Sequence, residues 1–171
     1  ARKEFDIPDD ADVEYVYDGL MRLGAELCVE TVDAVINTDG NVPSEPQDES
    51  GELHNAPKIF KETCLIDWRQ EAKRVYDFVR GLSPCPGAWC EVEEEGKKAV
   101  VMKIYKTAKT GRAVPSGTPA GSVNTEHGHM FIAAADCWLE IVELQMAGKK
   151  RMAARDFLNG CKGEMKVKVD F

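Results

Sequence analysis

Ile66-Asp67-Trp68, then a segment with apolar residues at Ala72, Val75, Tyr76, Phe78, Val79 and Leu82, then Ser83-Pro84-Cys85-Pro86-Gly87-Ala88-Trp89-Cys90 divide this chain into unlike halves. Apolar recurrence at three and four residues predicts a helix, with Asp67 placed to cap it by accepting free amide hydrogens of the first turn. Gly81 and the two prolines end that helix, since proline has no amide donor and its ring clashes with the preceding turn. The backbone must leave this corner extended, so Ala88 to Val92 reads as a first strand. Mostly helix is expected before it and mostly strand after it.

Downstream, Glu91 to Glu95 followed by Gly96 reads as a turn, and Ala99 to Tyr105 alternates as a strand, with Val101, Lys103 and Tyr105 on one face and Val100, Met102 and Ile104 on the other. Gly111 to Gly121 reads as loop. Short strands follow around Gly121 to Asn124, His129 to Ala134 and Trp138 to Gln145, each bounded by Gly, Asn or Asp. Four or five closely spaced strands predict a small barrel or a strongly curved sheet, because closure removes edges that would otherwise pair with other chains. Arg151 to Leu158 reads as a closing helix with Asn159-Gly160 as a left-handed cap, and Met165, Val167 and Val169 alternate weakly as an edge strand.

Upstream, Asp9-Asp10-Ala11-Asp12 supplies cap residues and negative charge where a helix dipole favours them. Two apolar sets follow, Val13 to Leu23 and Leu27 to Ile36, separated by Gly24. They read as two consecutive helices or one long bent helix, poorly anchored without a surface to pack on. Residues 38 to 60 carry turn chemistry at Thr38-Asp39-Gly40-Asn41 and recurrent prolines, and a connection this long more naturally joins domains than sits inside one. The expected division is therefore 1–37 helical, 38–60 linker and 61–171 barrel. The chain reads as a piece of something longer.

A chain of 171 residues, 43% hydrophobic and 30% charged, can bury one good core or two small ones. The net charge of −8 argues on its face against nucleic acid, but it is unevenly spread. Residues 1–60 hold 4 basic and 15 acidic residues, a balance of −11, whereas residues 61–171 hold 18 and 15, a balance of +3. The six cysteines show no Cys-x-x-Cys pair, and no run of about eighteen apolar residues occurs, so a reduced cytoplasmic protein away from membranes is expected, with no metal. No phosphate loop, nucleophile elbow or Ser-His-Asp spacing is present. His127 and His129 read as surface residues of a hairpin turn, and His54 as a linker residue. No catalytic residue is assigned.

The basic residues are the better lead. Lys97, Lys98, Lys103, Lys106, Lys109 and Arg112 follow one strand and the loop after it, and Lys149, Lys150 and Arg151 precede the last helix. Lys103 shares strand parity with Tyr105. Such a surface can track a phosphate backbone without reading bases. An ordinary charged surface has the same composition, and on composition both readings stand.

Several segments resemble, in order and spacing, the C-terminal part of the methionyl-tRNA formyltransferase family. Gly24-Ala25-Glu26-Leu27 is similar to the last helix of its catalytic domain. Pro46-Gln47-Asp48-Glu49 with Ala56-Pro57-Lys58-Ile59 and Lys61 is similar to its interdomain linker. Ile66-Asp67-Trp68 with Pro84-x-Pro86-Gly87-Ala88-Trp89 resembles its helix-to-barrel junction, where Cys85 stands in place of the family's usual aromatic. Ala147-Gly148-Lys149-Lys150-Arg151-Met152 with Asp156-Phe157-Leu158-Asn159-Gly160 resembles its closing segment.

The resemblance implies an α+β chain: a helical remnant and linker, then an open OB-like, Greek-key barrel with one leading and one closing helix. It implies a parent enzyme that passes a formyl group from 10-formyltetrahydrofolate to initiator methionyl-tRNA and is monomeric in full length. The Asn-His-Asp catalytic set would lie in a missing N-terminal domain, leaving this portion inactive alone and without a bound cofactor. Lys58, Lys61, Lys149, Lys150 and Arg151 carry over as candidate tRNA contacts; Lys103 and Lys106 are added from strand parity. Two alternatives stay open: a structural module that orients the catalytic domain, or a related folate-dependent formyltransferase or hydrolase with another substrate. Gly148 to Met152 favours the tRNA enzyme.

Overall fold

The computed structural model describes residues 1–47, 50–51, 54–94, 98–161, 163 and 165–169, with Glu94 described by its backbone alone. The chain forms two compact units, Ala1–Ile59 and Phe60–Phe171. In the first, one helix, α1 (Val13–Asn37), runs through Gly24 without a break and is capped by Asp12, whose carboxylate accepts from the Tyr15 amide. Of the two expected forms, two consecutive helices or one long helix, the chain takes the single helix, because one glycine costs a helix interior only about 1 kcal/mol. Phe5 packs against Gly19 and Tyr15, and Lys3 bridges to Glu26 and Glu30. α1 itself buries no residue.

The second unit is a small α+β barrel. A short 3-10 turn (Glu62–Cys64) leads to α2 (Ala72–Leu82), then β1 (Ala88–Glu94), β2 (Val100–Ala113), β3 (Val123–Glu126), β4 (His129–Ala133), β5 (Cys137–Met146), β6 (Met152–Ala153), α3 (Ala154–Asn159) and β7 (Met165–Lys168). All named pairs are antiparallel, in the order β3-β4-β5-β2-β1-β7, with β6 added to β5. The two ends meet at Gly121. Its amide donates to Ala133 O at 2.8 Å, and its carbonyl accepts from Val167 N at 3.2 Å. It has φ +79°, and a Cβ there would lie 2.5 Å from Val169 Cγ2, so glycine lets the two edges approach.

Alternation along the strands fills the interior. Ala88, Cys90, Val92, Met102, Ile104, Met130, Ile132, Leu139, Ile141, Leu144 and Val167 are buried, joined by Trp68 and the apolar stripe of α2. Burial pushes the Cys90 thiol up to about 12, so it packs as a neutral apolar group.

Several local expectations are corrected. Asp67 does not cap α2: its carboxylate accepts from the Arg69 amide at 3.1 Å and pairs with the Arg69 guanidinium, while the helix begins five residues later. The cap comes from the β4–β5 turn instead, where Asp136 Oδ1 accepts from Ala72 N at 2.7 Å. β1 continues to Glu94 where a turn was expected, with Glu95, Gly96 and Lys97 outside the described residues, and β2 runs on to Ala113 into the expected loop. Met152 and Ala153 pair with β5, so the closing helix starts at Ala154 rather than Arg151. Gly160 sits at φ −98°, not left-handed.

The Asp136 cap has a measurable consequence. The Ala72 amide hydrogen bond, ahead of the other influences, holds its carboxyl below the usual range. Asp136→Ala is expected to cost about 1 kcal/mol near neutrality, read as a lower urea midpoint. Because the folded pKa lies below the unfolded one, that contribution is full above the unfolded value and lost as pH falls through the folded one. The gap between parent and variant should therefore close on acidification below about pH 4.

Candidate nucleic-acid interface

Strand alternation turns every second side chain of β1, β2 and β5 away from the core. Register then lines up Trp89, Lys103 and Gln145 in one cross-strand row on the outer face. At its β1 end the Trp89 indole Nε1 donates to Lys61 O at 2.8 Å, and the Lys61 ammonium lies 5.5 Å from the indole centroid. In the middle, Lys103 Nζ donates to Pro86 O at 2.8 Å. Gly87, at φ +83°, allows this approach, since a Cβ there would sit 3.2 Å from Tyr105 and 3.4 Å from the Lys103 stem.

Tyr105 falls where the β2–β5 register shifts, between Ile104 and Lys106. A bulge re-aims side chains locally. Its hydroxyl donates to Gln145 Oε1 at 2.7 Å, and Gln145 Nε2 donates to Lys149 O at 2.8 Å. Lys149 N closes on Met146 O at 2.9 Å, and Gly148 takes φ +73° in the same turn. A side-chain chain thus holds the turn that carries Lys149 and Lys150, both exposed. Arg151 leaves the turn with its guanidinium 4.5 Å from the Tyr105 ring centroid and its edge on Glu143. Lys61, Lys103, Gln145, Met146 and Gly148 border an open groove on this face.

The sequence-derived candidates therefore separate. Lys61, Lys103, Lys149 and Arg151 are joined to one face by these contacts; Lys106 is exposed on β2 opposite Glu143, and Lys150 extends the turn. Lys58 lies in the Ala1–Ile59 unit. Of the other basic residues, Lys98 is exposed before β2, and Lys97 lies outside the described residues. Lys109 and Arg112 are drawn to the other end of β2, Lys109 over Tyr76 at 4.7 Å and Arg112 against Glu126, Phe131 and Trp138.

Trp89, Gln145 and Glu143 are new to the site. The alternation of small buried Ala88 and Cys90 around Trp89 signals an outward tryptophan. Nothing local signals Gln145 or Glu143, whose roles depend on pairing with a strand some forty residues earlier. His127 and Gly128 form the β3–β4 turn at φ +52° and +81°, and the exposed His129 pairs Nδ1 with Glu140 Oε1 at 2.6 Å. Among the described residues no group of three or more His, Cys, Asp or Glu could hold a metal ion.

Residues 58–162 match the family model described as formyl transferase, C-terminal domain. The methionyl-tRNA formyltransferase of Parabacteroides distasonis is 47% identical over 166 residues, covering 94% of this chain and 50% of that protein. That of Phocaeicola vulgatus is 43% identical over 169 residues, covering 96% and 51%. The chain spans about half the length of the curated relatives it matches. In fold it is similar to HypX from Aquifex aeolicus, with a TM-score of 0.60 at 20% identity over 95% of this chain and 28% of that one.

Proposed function

We propose that this chain, which belongs to the formyl transferase C-terminal domain family, is the tRNA-holding part of a methionyl-tRNA formyltransferase. In that reading the parent enzyme moves a formyl group from 10-formyltetrahydrofolate to the amino group of initiator methionyl-tRNA, in the cytoplasm and as a monomer. Residues 1–37 are the helical end of the catalytic domain, 38–60 the linker and 61–171 the RNA-holding barrel. Bond-making belongs to residues other than these 171, and the fragment binds no folate. The identity to relatives that carry the transferase name supports this assignment. Among the described residues no helix is long and apolar enough to cross a membrane.

One observation carries the RNA reading: among the described residues, Lys103 and Lys61 flank the groove held by a carbonyl and a ring rather than by carboxylates. Their positive charge is oriented without being neutralised, which is what a phosphate backbone requires. Titrating the 171-residue chain with initiator tRNA should give an affinity that falls linearly on a log–log plot against salt, with a slope of roughly −3 to −5. Formyl transfer by the same preparation should be blank. Absence of tRNA binding at about 50 mM salt, where phosphate contacts are strongest, would leave the structural-module alternative in its place.

A further inference from the structure

We propose that Glu143 tunes this face by standing in for an RNA phosphate at Arg151. The inference rests on the RNA-binding reading and names a positioning and selectivity residue within it. Glu143 Oε2 accepts from Arg151 Nε at 3.0 Å and from Nη2 of the same guanidinium. Engaging a guanidinium edge through two nitrogens is also how arginine takes a phosphate. The guanidinium carbon also lies over the Tyr105 ring, 4.5 Å from its centroid, so the group is held between ring and carboxylate before any ligand arrives.

The neighbouring cations differ. Among the described residues the Lys106, Lys149 and Lys150 ammonium groups form no hydrogen bond or ion pair. Lys106 nevertheless lies across from Glu143 in the strand register. The face thus presents open ammonium groups beside one guanidinium whose charge is already matched. Any polyanion can engage the lysines; a phosphate reaches Arg151 only by displacing the Glu143 carboxylate. Glu143 therefore withholds one contact from loosely fitting anions and yields it to an RNA that places a phosphate on that spot. A purely structural salt bridge is the competing account, but with the two side chains 44% and 37% exposed, solvent screening leaves it little stabilising weight.

The test is Glu143→Gln in the 171-residue chain, with Glu143→Ser as a second variant and thermal unfolding to verify the fold. Both are titrated with initiator tRNA and with poly(U) across salt, beside K149A/K150A and R151A. Removing the carboxylate charge should tighten binding roughly twofold to fivefold, more for poly(U) than for tRNA, and steepen the salt slope by about 0.7 to 0.9 for poly(U), which gains the Arg151 contact, while the tRNA slope stays as in the parent. E143Q/R151A should bind as R151A does. An unchanged poly(U) slope, weaker binding, or a gain that survives in E143Q/R151A overturns the proposal. If K149A/K150A weakens binding while E143Q does nothing, the RNA reading stands and this inference falls. If no form binds tRNA, both fall.

Discussion

Replacing Lys103, Lys149 and Lys150 together by alanine is expected to weaken tRNA binding about 30- to 300-fold at 0.1 M salt, and to flatten the salt slope by about two to three. The reasoning is one of counterions: each ammonium that meets a phosphate frees a condensed cation, and the gain is entropic and salt-dependent. Lys103 projects from a rigid strand with its ammonium on Pro86 O, and Lys149 from a turn held by Gln145. Lys103, already held, loses little freedom on binding. Replacing Lys73, which already serves Asp77 on α2, should leave the slope unchanged. Equal losses for initiator and elongator tRNA would mark these as contacts that position the RNA rather than read its bases. Equal slopes for the triple variant and the parent would show that this face does not meet RNA.

How much of that site the sequence discloses depends on how far apart its parts lie in the chain. The lysines show as clusters, and Lys103 shares parity with Tyr105 because side chains alternate along a strand. The Glu143–Arg151–Tyr105–Gln145 arrangement does not show, because it requires the β2–β5 register and its shift beside Tyr105. That shift also separates Lys109 and Arg112 from Lys103, although all three follow one another along a single strand.

The fold has the same division. α2 is legible from its apolar stripe and the prolines after it, and β4 and β5 from alternation between turn residues. The α2 cap is not, since the donor and acceptor are 64 residues apart and Asp67, the local candidate, is taken by Arg69. Nor does the chain advertise that Gly121 joins the sheet ends, because a glycine bounding a strand looks the same whether or not another backbone passes it. The α+β barrel class follows from local pattern; its closure follows from pairings between distant segments.

Trp68→Ala is expected to destabilise the barrel by about 3 to 5 kcal/mol, lowering its thermal midpoint by more than about 10 °C. Trp68 is fully buried and belongs to the same core cluster as the α2 stripe and the inner residues of β1, β2 and β5. Truncation leaves a cavity that the surrounding closed sheet cannot readily collapse. Trp68→Phe should cost much less, about 1 to 2 kcal/mol, because it keeps an aromatic body and removes an indole N–H that has no hydrogen-bond partner among the described residues. The pair also tests how the core supports the outer face. Ile66 N donates to Trp89 O at 2.8 Å and Lys61 O accepts from the Trp89 indole, so the segment anchored by Trp68 also sets the position of the Lys61 ammonium. Measured well below its midpoint, Trp68→Ala should bind tRNA with a salt slope flatter by about 0.7 to 0.9, one contact's worth, while Trp68→Phe keeps the parent slope. A Trp68→Ala protein with an unaltered slope would show that Lys61 is placed without the core residue beneath it, and equal midpoints for the two variants would show that the buried ring contributes no packing.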